Sequence, residues 1–303
     1  MIRKGYAAPD VSLTQLGTIS LGKRTEDRVP KAKDFAPLQG LDGLVFGGWD
    51  AFPDDAYEAA VHAGVLEKEH LGAVHDELRA VEPLPSVFEP RDVAGIEATH
   101  KKEYGSLREA ADQVREDIRA FKKGHGLERV AMVNCASTEV YAQPQKAHFD
   151  PEELEAALER SDPSVSPAMA YAAVMEDVAY ANGAPSMAVD IPSLLDAADK
   201  RGMPVAGKDL KTGQTLTKTI VAPGLKARML GLEGWYSTNI LGNRDGEVLD
   251  DSESPKSKEV TSSRCWSTSC IPRYVPSSTK TSRTSPRSTT ARLVATPRRA
   301  GTP

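Results

Sequence analysis

Cysteine is scarce in this 303-residue sequence: there are three, Cys135, Cys265 and Cys270, and none forms a C-x-x-C pair. That excludes a disulfide-stapled small scaffold and leaves no metal-ligand spacing, so no metal is expected. Long apolar runs are missing, as is a charged-then-apolar leader, which points to a soluble cytoplasmic protein with no membrane partner. Aromatics make up only 6%, and a mean hydropathy of −0.40 is ordinary to slightly polar. Acids are absent from residues 261–303, which hold eight Lys/Arg. The first 260 residues hold 30 bases against 43 acids, so the net charge of −5 hides a body at −13 and a tail at +8.

Between those absences the chain alternates strand and helix. Residues 105–123 give the clearest helix, with Leu107, Ala111, Val114, Ile118 and Phe121 spaced by three and four and Ser106 as its cap. RVAMVNCAS follows as a buried strand. Asp150-Pro151 opens a short helix, SPAMAYAAVMEDVAYANGAP reads as a small-residue helix ending at Gly183, and IPSLLDAADKRGMPVAGKD reads as helix, glycine stop and strand. Earlier, LDGLVFGGWD reads as a buried strand ending at Asp50, followed by a helix that Asp50 could cap. This beat predicts an α/β fold, a Rossmann-like doubly wound parallel sheet, over residues 1–215. After Thr215 the pattern changes, and 216–260 reads as the start of a second, α+β domain. Residues 261–303, rich in Ser, Thr, Pro and Arg, read as a disordered basic tail.

Polar residues with chemical capacity gather between 203 and 260. Asp209, Lys211 and Thr212 stand just upstream of Asn243, Asp245 and Lys258. Amides, acceptors and fixed positive charge suit a phosphorylated, oxygen-rich substrate; a solvated face is the alternative. The wording is more specific than the spacing. GKDLKTGQT, ILGNRDG and KSKEV, with SLTQLGTISLGKRTE, LVFGGWDAFPDDAYEAA, VNCASTE and NGAPSMAVDIPSL, closely resemble the signature blocks of the myo-inositol-1-phosphate synthase family, in family order, as far as Val260.

The resemblance implies NAD as cofactor and D-glucose 6-phosphate as substrate, cyclised to 1D-myo-inositol 3-phosphate without net redox change by a homotetramer. It implies catalytic roles for Lys258, Asp245 and Asn243. It places Asp50 on the NAD ribose, Cys135, Ala136 and Thr138 on the nicotinamide side, Gly183 on the cofactor, and Asp209 and Thr212 at the seam with the catalytic domain. From the residues alone, Cys135 also reads as a structural thiol and Gly183 as a helix cap.

The sequence departs from the family in five places. Arg244 stands where the family often has Asn, and Pro255 where Phe is common. Ser262 stands where the next lysine is expected, so synthase turnover is not expected of the chain as written. At the start, MIRKGYAAPD reads as the end of a helix, and the Gly-rich phosphate turn and central strand that the resemblance places before it are missing. The tail reads as out of frame: shifted codons for Arg264–Arg273 can spell V-L-E-H-V-L-H-P-E, like the family's continuation. Two alternatives stay open, another NAD-dependent dehydrogenase on the same sheet and a non-catalytic nucleic-acid-binding protein using the basic tail; the family reading itself carries no nucleic-acid partner.

Overall fold

The computed structural model describes residues 43–210, 213–236 and 248, and the backbone of 292–297. The chain divides into two compact units. The first runs to Ser86 and takes in Thr99–Lys101; the second holds Val87–Ala98 and everything from Lys102. The boundary thus falls near 86, and 213–236 lies in the same unit as the strands before it.

In the first unit, β1 (Trp49–Asp50) pairs in parallel with β2 (Leu84–Pro85). Between them stand three short helices, α1 (Ala56–Ala63), α2 (Lys68–Gly72) and α3 (His75–Arg79). Asp55 caps α1, its Oδ1 accepting from the amides of Tyr57 and Glu58 at 2.9 Å each. This corrects the expectation that Asp50 could serve as that cap. Arg79 closes back on the same helix start, 2.8 Å from Asp55 and 2.7 Å from Glu58. The expected buried strand over LDGLVFGGWD is also corrected. Only Trp49–Asp50 is strand, and Leu44, Val45 and Phe46 are exposed.

The second unit carries the main core. Its sheet has the order β3 (Ala131–Asn134), β4 (Ala179–Asn182), β5 (Val205–Ala206), all parallel. In chain order the elements are α4 (Leu107–His125), β3, α5 (Pro151–Glu159), α6 (Val165–Met175), β4, α7 (Pro192–Lys200) and β5. Helix α4 starts as its sequence predicts: the Ser106 hydroxyl accepts from Glu109 N at 3.2 Å, and the Glu109 carboxylate accepts from Gly105 N at 2.7 Å. It buries Leu107, Ala110, Ala111, Val114 and Ile118. Asp150 caps α5 and Pro151 occupies its first turn, where a missing amide costs nothing.

Helix α6 is apolar all round, and eight of its residues are buried, the pattern of a helix covered on every side. Glu176 ends it and is clamped from α4 by Arg115 at 2.8 Å and Arg119 at 2.6 Å, while Lys122 donates to its carbonyl at 2.7 Å. These cations sit at a helix carboxyl end, where the dipole favours them. Asp177 then turns left-handed, with φ 53°. The expected single helix through to Gly183 is therefore wrong: it stops at Met175 and Ala179–Asn182 is strand.

Beyond residue 212, α8 (Gly213–Ala227) and β6 (Leu230–Tyr236) form a small cluster in which Ala222, Leu225 and Leu232 are buried, with Val221, Leu230 and Trp235 against them. Strand β7 (Arg292–Pro297) pairs with β6 antiparallel. Those six residues depart from the expectation of a wholly irregular tail. The two parallel ladders, β1–β2 and β3–β4–β5, share no strand pairing among the described residues.

Candidate functional site

The carboxyl ends of β3, β4 and β5 are where an open parallel sheet presents loops to a ligand. Asn134 and Asn182 end their strands and stand opposite each other in register. The backbone after each is drawn together. Gly183 N donates to Asn134 O at 2.8 Å, Asp209 N to Asn182 O at 3.0 Å, and Leu210 N to Gly183 O at 3.0 Å. No side chain fits at Gly183, because a Cβ there would lie 2.8 Å from the Asn134 carbonyl. Gly207 is similarly confined: φ is +142°, and a Cβ would meet that of Asn182 at 2.9 Å.

Small exposed groups line this edge: Cys135, Ala136 and Gly207 all face solvent. Lys208 and Asp190 form an ion pair at 2.7 Å beside it. Asp209 takes a left-handed φ of 65° and is half-buried. An edge of this kind, with exposed small residues at the strand ends and no side chain at Gly183, fits the close backbone approach that a dinucleotide needs. Among the described residues no group of three or more His, Cys, Asp or Glu is placed to hold a metal, and no helix is long and apolar enough to cross a membrane.

Five of the ten expected site residues meet in this region: Cys135, Ala136, Thr138, Gly183 and Asp209. Thr138 is buried, at 2% exposure, unlike its exposed neighbours Cys135 and Ala136. Gly183 follows a strand, which removes the reading of it as a helix cap. Strand β3, expected to be buried, is open, with Val133 58% exposed. Asp50 belongs to the first unit, is exposed, and accepts from Phe52 N at 3.0 Å. Thr212, Asn243, Asp245 and Lys258 lie outside the described residues.

Sequence reasoning missed the polar groups behind the edge. Asn134 donates to Ser166 Oγ at 3.4 Å and to Asn182 Oδ1 at 3.1 Å, and its own Oδ1 accepts from Ala136 N at 3.1 Å. Glu139 accepts from both N and Oγ of Ser166 at 2.8 Å. Asp92 Oδ2 accepts from Val165 N at 2.9 Å. Two remote carboxyls thus satisfy the first amides of α6, and the adjacent Ser164 side chain makes no cap bond. Burial outweighs these bonds and pushes Asp92 up to about 6 and Glu139 up to about 7. Tyr180, at 2% exposure, has no hydrogen-bond partner for its hydroxyl among the described residues. Asn134 is its neighbour, but commits both amide protons to Ser166 and Asn182. Burial raises the Tyr180 hydroxyl further. The one sequence signal for this network was the repeated pattern of Asn followed by small residues, N-C-A-S and N-G-A-P, at two strand ends.

Comparison with known proteins bears on the same residues. A family model for an NAD-binding region, described as Myo-inositol-1-phosphate synthase, matches residues 2–298. The chain is similar to Inositol-3-phosphate synthase 1 of Bacteroides thetaiotaomicron, 46% identical over 262 residues, which is 86% of this chain and 60% of that protein. Against Inositol-3-phosphate synthase 1 of Oryza sativa it is 31% identical over 258 residues, 83% of this chain and 50% of the other. The crystal structure of inositol-3-phosphate synthase from Caenorhabditis elegans matches with a TM-score of 0.73 at 30% identity, over 82% of this chain and 50% of that one. The chain therefore spans about half to three-fifths of the length of these relatives. With the family model covering nearly all of its length and the parallel strand ends arranged as described, this chain belongs to the myo-inositol-1-phosphate synthase family.

Proposed function

We propose that this chain carries the dinucleotide side of an inositol-3-phosphate synthase, which converts D-glucose 6-phosphate to 1D-myo-inositol 3-phosphate. The observation that supports it is the junction of β3 and β4, where Gly183 lies too close to Asn134 O for any side chain. NAD, when bound, supplies a reversible hydride acceptor, so the reaction has no net redox change. Cys135 and Ala136 offer it an exposed strand end, Gly183 lets the ends of β3 and β4 and Leu210 close up behind that edge, and Asp209, held by Asn182 O, sets the rim. Thr138 is buried in the same loop. Asp50 provides a carboxylate acceptor for a ribose hydroxyl.

Thr212 continues the rim, and Asn243, Asp245 and Lys258 act on the sugar phosphate. An ammonium at Lys258 would stabilise negative charge growing on a carbonyl oxygen. The assembly proposed is a cytoplasmic homotetramer, as the family resemblance implies.

Calorimetric titration of the chain with NAD tests the reading. Saturable binding is expected, weakened at least about tenfold in Gly183→Val, because the added side chain forces the strand ends apart. A folded wild-type chain that binds no NAD, or a folded variant that binds as well, would overturn it. Incubated with NAD and glucose 6-phosphate, the chain is expected to accumulate no NADH; steady accumulation would favour a dehydrogenase. Formation of inositol phosphate is expected to be absent, since Ser262 stands where the resemblance places a lysine, and product would overturn that expectation.

A further inference from the structure

The hydrogen bonds behind the sheet edge close into a ring. Glu139 Oε1 accepts from Ser166 Oγ at 2.8 Å, and Ser166 Oγ accepts from Asn134 Nδ2 at 3.4 Å. Asn134 Nδ2 also reaches Asn182 Oδ1 at 3.1 Å, and Asn182 Nδ2 donates to Ser186 O at 2.8 Å. Ser186 Oγ then accepts from Glu139 N at 3.2 Å, which returns to the starting residue. The five residues come from the ends of β3 and β4, the first turn of α6 and the loops after both strands. Glu139, Ser166, Asn182 and Ser186 are buried. The ring also holds the two loops directly: Asn134 Oδ1 accepts from Ala136 N, and Asn182 Oδ1 from Ala184 N, each at 3.1 Å.

Such a ring has a weakest member. Each Asn amide must keep one orientation for its donors and acceptors to match, and that orientation is set by the neighbour it bonds. Ser166 can accept from Asn134 only while its own proton points to Glu139. Removing the Glu139 acceptor frees the Ser166 hydroxyl to rotate, and Asn134 loses the partner that fixes its amide. Both loops on the nucleotide edge then lose their anchor.

We infer that Glu139 is a positioning residue for the cofactor edge: its carboxyl sets the Ser166, Asn134 and Asn182 orientations that hold the 135–138 and 183–186 loops for NAD. This rests on the reading that the edge holds NAD. The groups facing the Glu139 carboxyl are Asp92 from segment 87–98 and Tyr180 from β4. Behind Asp92 stand Arg91, 3.8 Å from it, and Glu89, and Cys135 lies near Tyr180. Burial and the neighbouring Asp92 disfavour the ionised form of Glu139, while its hydrogen bonds from Ser164 and Ser166 favour it.

Two measurements on the full chain separate the possibilities. Hydrogen exchange followed by mass spectrometry compares wild type, Glu139→Gln and Glu139→Ala. Glu139→Gln keeps the acceptor, so exchange in the 134–139 and 182–187 peptides stays near wild type. Glu139→Ala raises it there by about tenfold, as expected for a lost buried hydrogen bond, while α4 peptides are unchanged. NAD titration is the second readout. Glu139→Gln binds NAD as wild type does, and Glu139→Ala binds it several-fold more weakly.

Equal loop exchange in wild type and Glu139→Ala would sink the ring, whether or not NAD binds. Intact loop effects with no NAD binding in any form would instead sink the cofactor reading. Loosened loops in Glu139→Ala with NAD affinity unchanged would overturn the positioning role given to Glu139.

Discussion

The two units hold their helices by different means. In the first, α1 and α3 bury no residue at all, and Leu44, Val45, Phe46, Val61 and Val65 remain exposed. What fixes α1 is polar and local: the Asp55 cap and Arg79 lying across it. In the second, α6 buries eight of its eleven residues, and α4 and α5 bury their apolar stripes. Both units are built from short parallel strands with helices between them. The three-strand ladder gives helices a face to cover, whereas a two-residue ladder does not. An apolar helix face becomes stabilising only where another surface removes it from water.

The largest effect that would break this contrast is a cavity. Leu158 of α5 has no exposed surface, so Leu158→Ala is expected to cost about 2–5 kcal/mol, transfer plus cavity. Phe46→Ser, at a side chain 61% exposed, is expected to stay within about 0.5 kcal/mol. Urea unfolding of both variants measures the difference. Comparable losses would mean that Phe46 is covered in solution and that the first unit has a core of its own.

The next effect is smaller and has a sign. Asp92 and Glu139 move from 3.8 and 4.5 when free to about 6 and about 7 in the fold. For a carboxyl raised on folding, the stability it allows is complete below the free value and is lost as pH climbs through the folded one. The second unit is therefore expected to lose stability between about pH 4 and pH 7, by a few kcal/mol for the pair. Thermal melting in steps of pH reads this as a falling midpoint. Glu139→Gln is expected to remove about half of the slope, Asp92 supplying the rest, and an unchanged slope would place its origin elsewhere.

This contrast also marks what could be read from the sequence. Helices α4, α5 and α7 were legible from local signals: cap, period and glycine stop in α4 from Ser106 to Gly126, the Asp150–Pro151 start of α5, and the glycine stop at Gly202 after α7. The strand β4 was not, since Ala-Tyr-Ala-Asn carries no local preference strong enough to resist a helical reading. Its state is set by pairing with β3 and β5, a tertiary effect that overrides propensity. The exposed run Leu44–Phe46 fails in the opposite direction: a strand-like sequence with no ladder to join among the described residues. At the candidate site, strand-end logic reached Cys135 and Ala136, because a chain motif can mark where a strand stops; Gly183 was read as a helix end and came to the site only through the family resemblance. The ring through Glu139, Ser166, Asn134, Asn182 and Ser186 depends on register between β3 and β4, and no single segment encodes that.

The smallest expected effect reverses the sign of the pH dependence. Asp55 is half-buried and is held below its usual range, first by the Glu58 amide and then by Arg79 and the Tyr57 amide, against an opposing effect of burial. A carboxyl lowered on folding contributes stability above its free value of 3.8 and loses it as pH falls through the folded one. Acid should therefore fray α1 while the raised carboxyls of the second unit are at their most comfortable, and alkali should do the converse. Hydrogen exchange by mass spectrometry, at pH values near 3 and near 8 with the intrinsic rate divided out, compares peptides from 55–64 with those from 165–175. The acid sample should lose protection only in the first, and Asp55→Asn, which keeps an acceptor oxygen but cannot titrate, should abolish that loss. Uniform acid fraying of both peptides would mean the two units do not respond through these carboxyls, and that local caps and buried pairs are poor guides to where this chain opens.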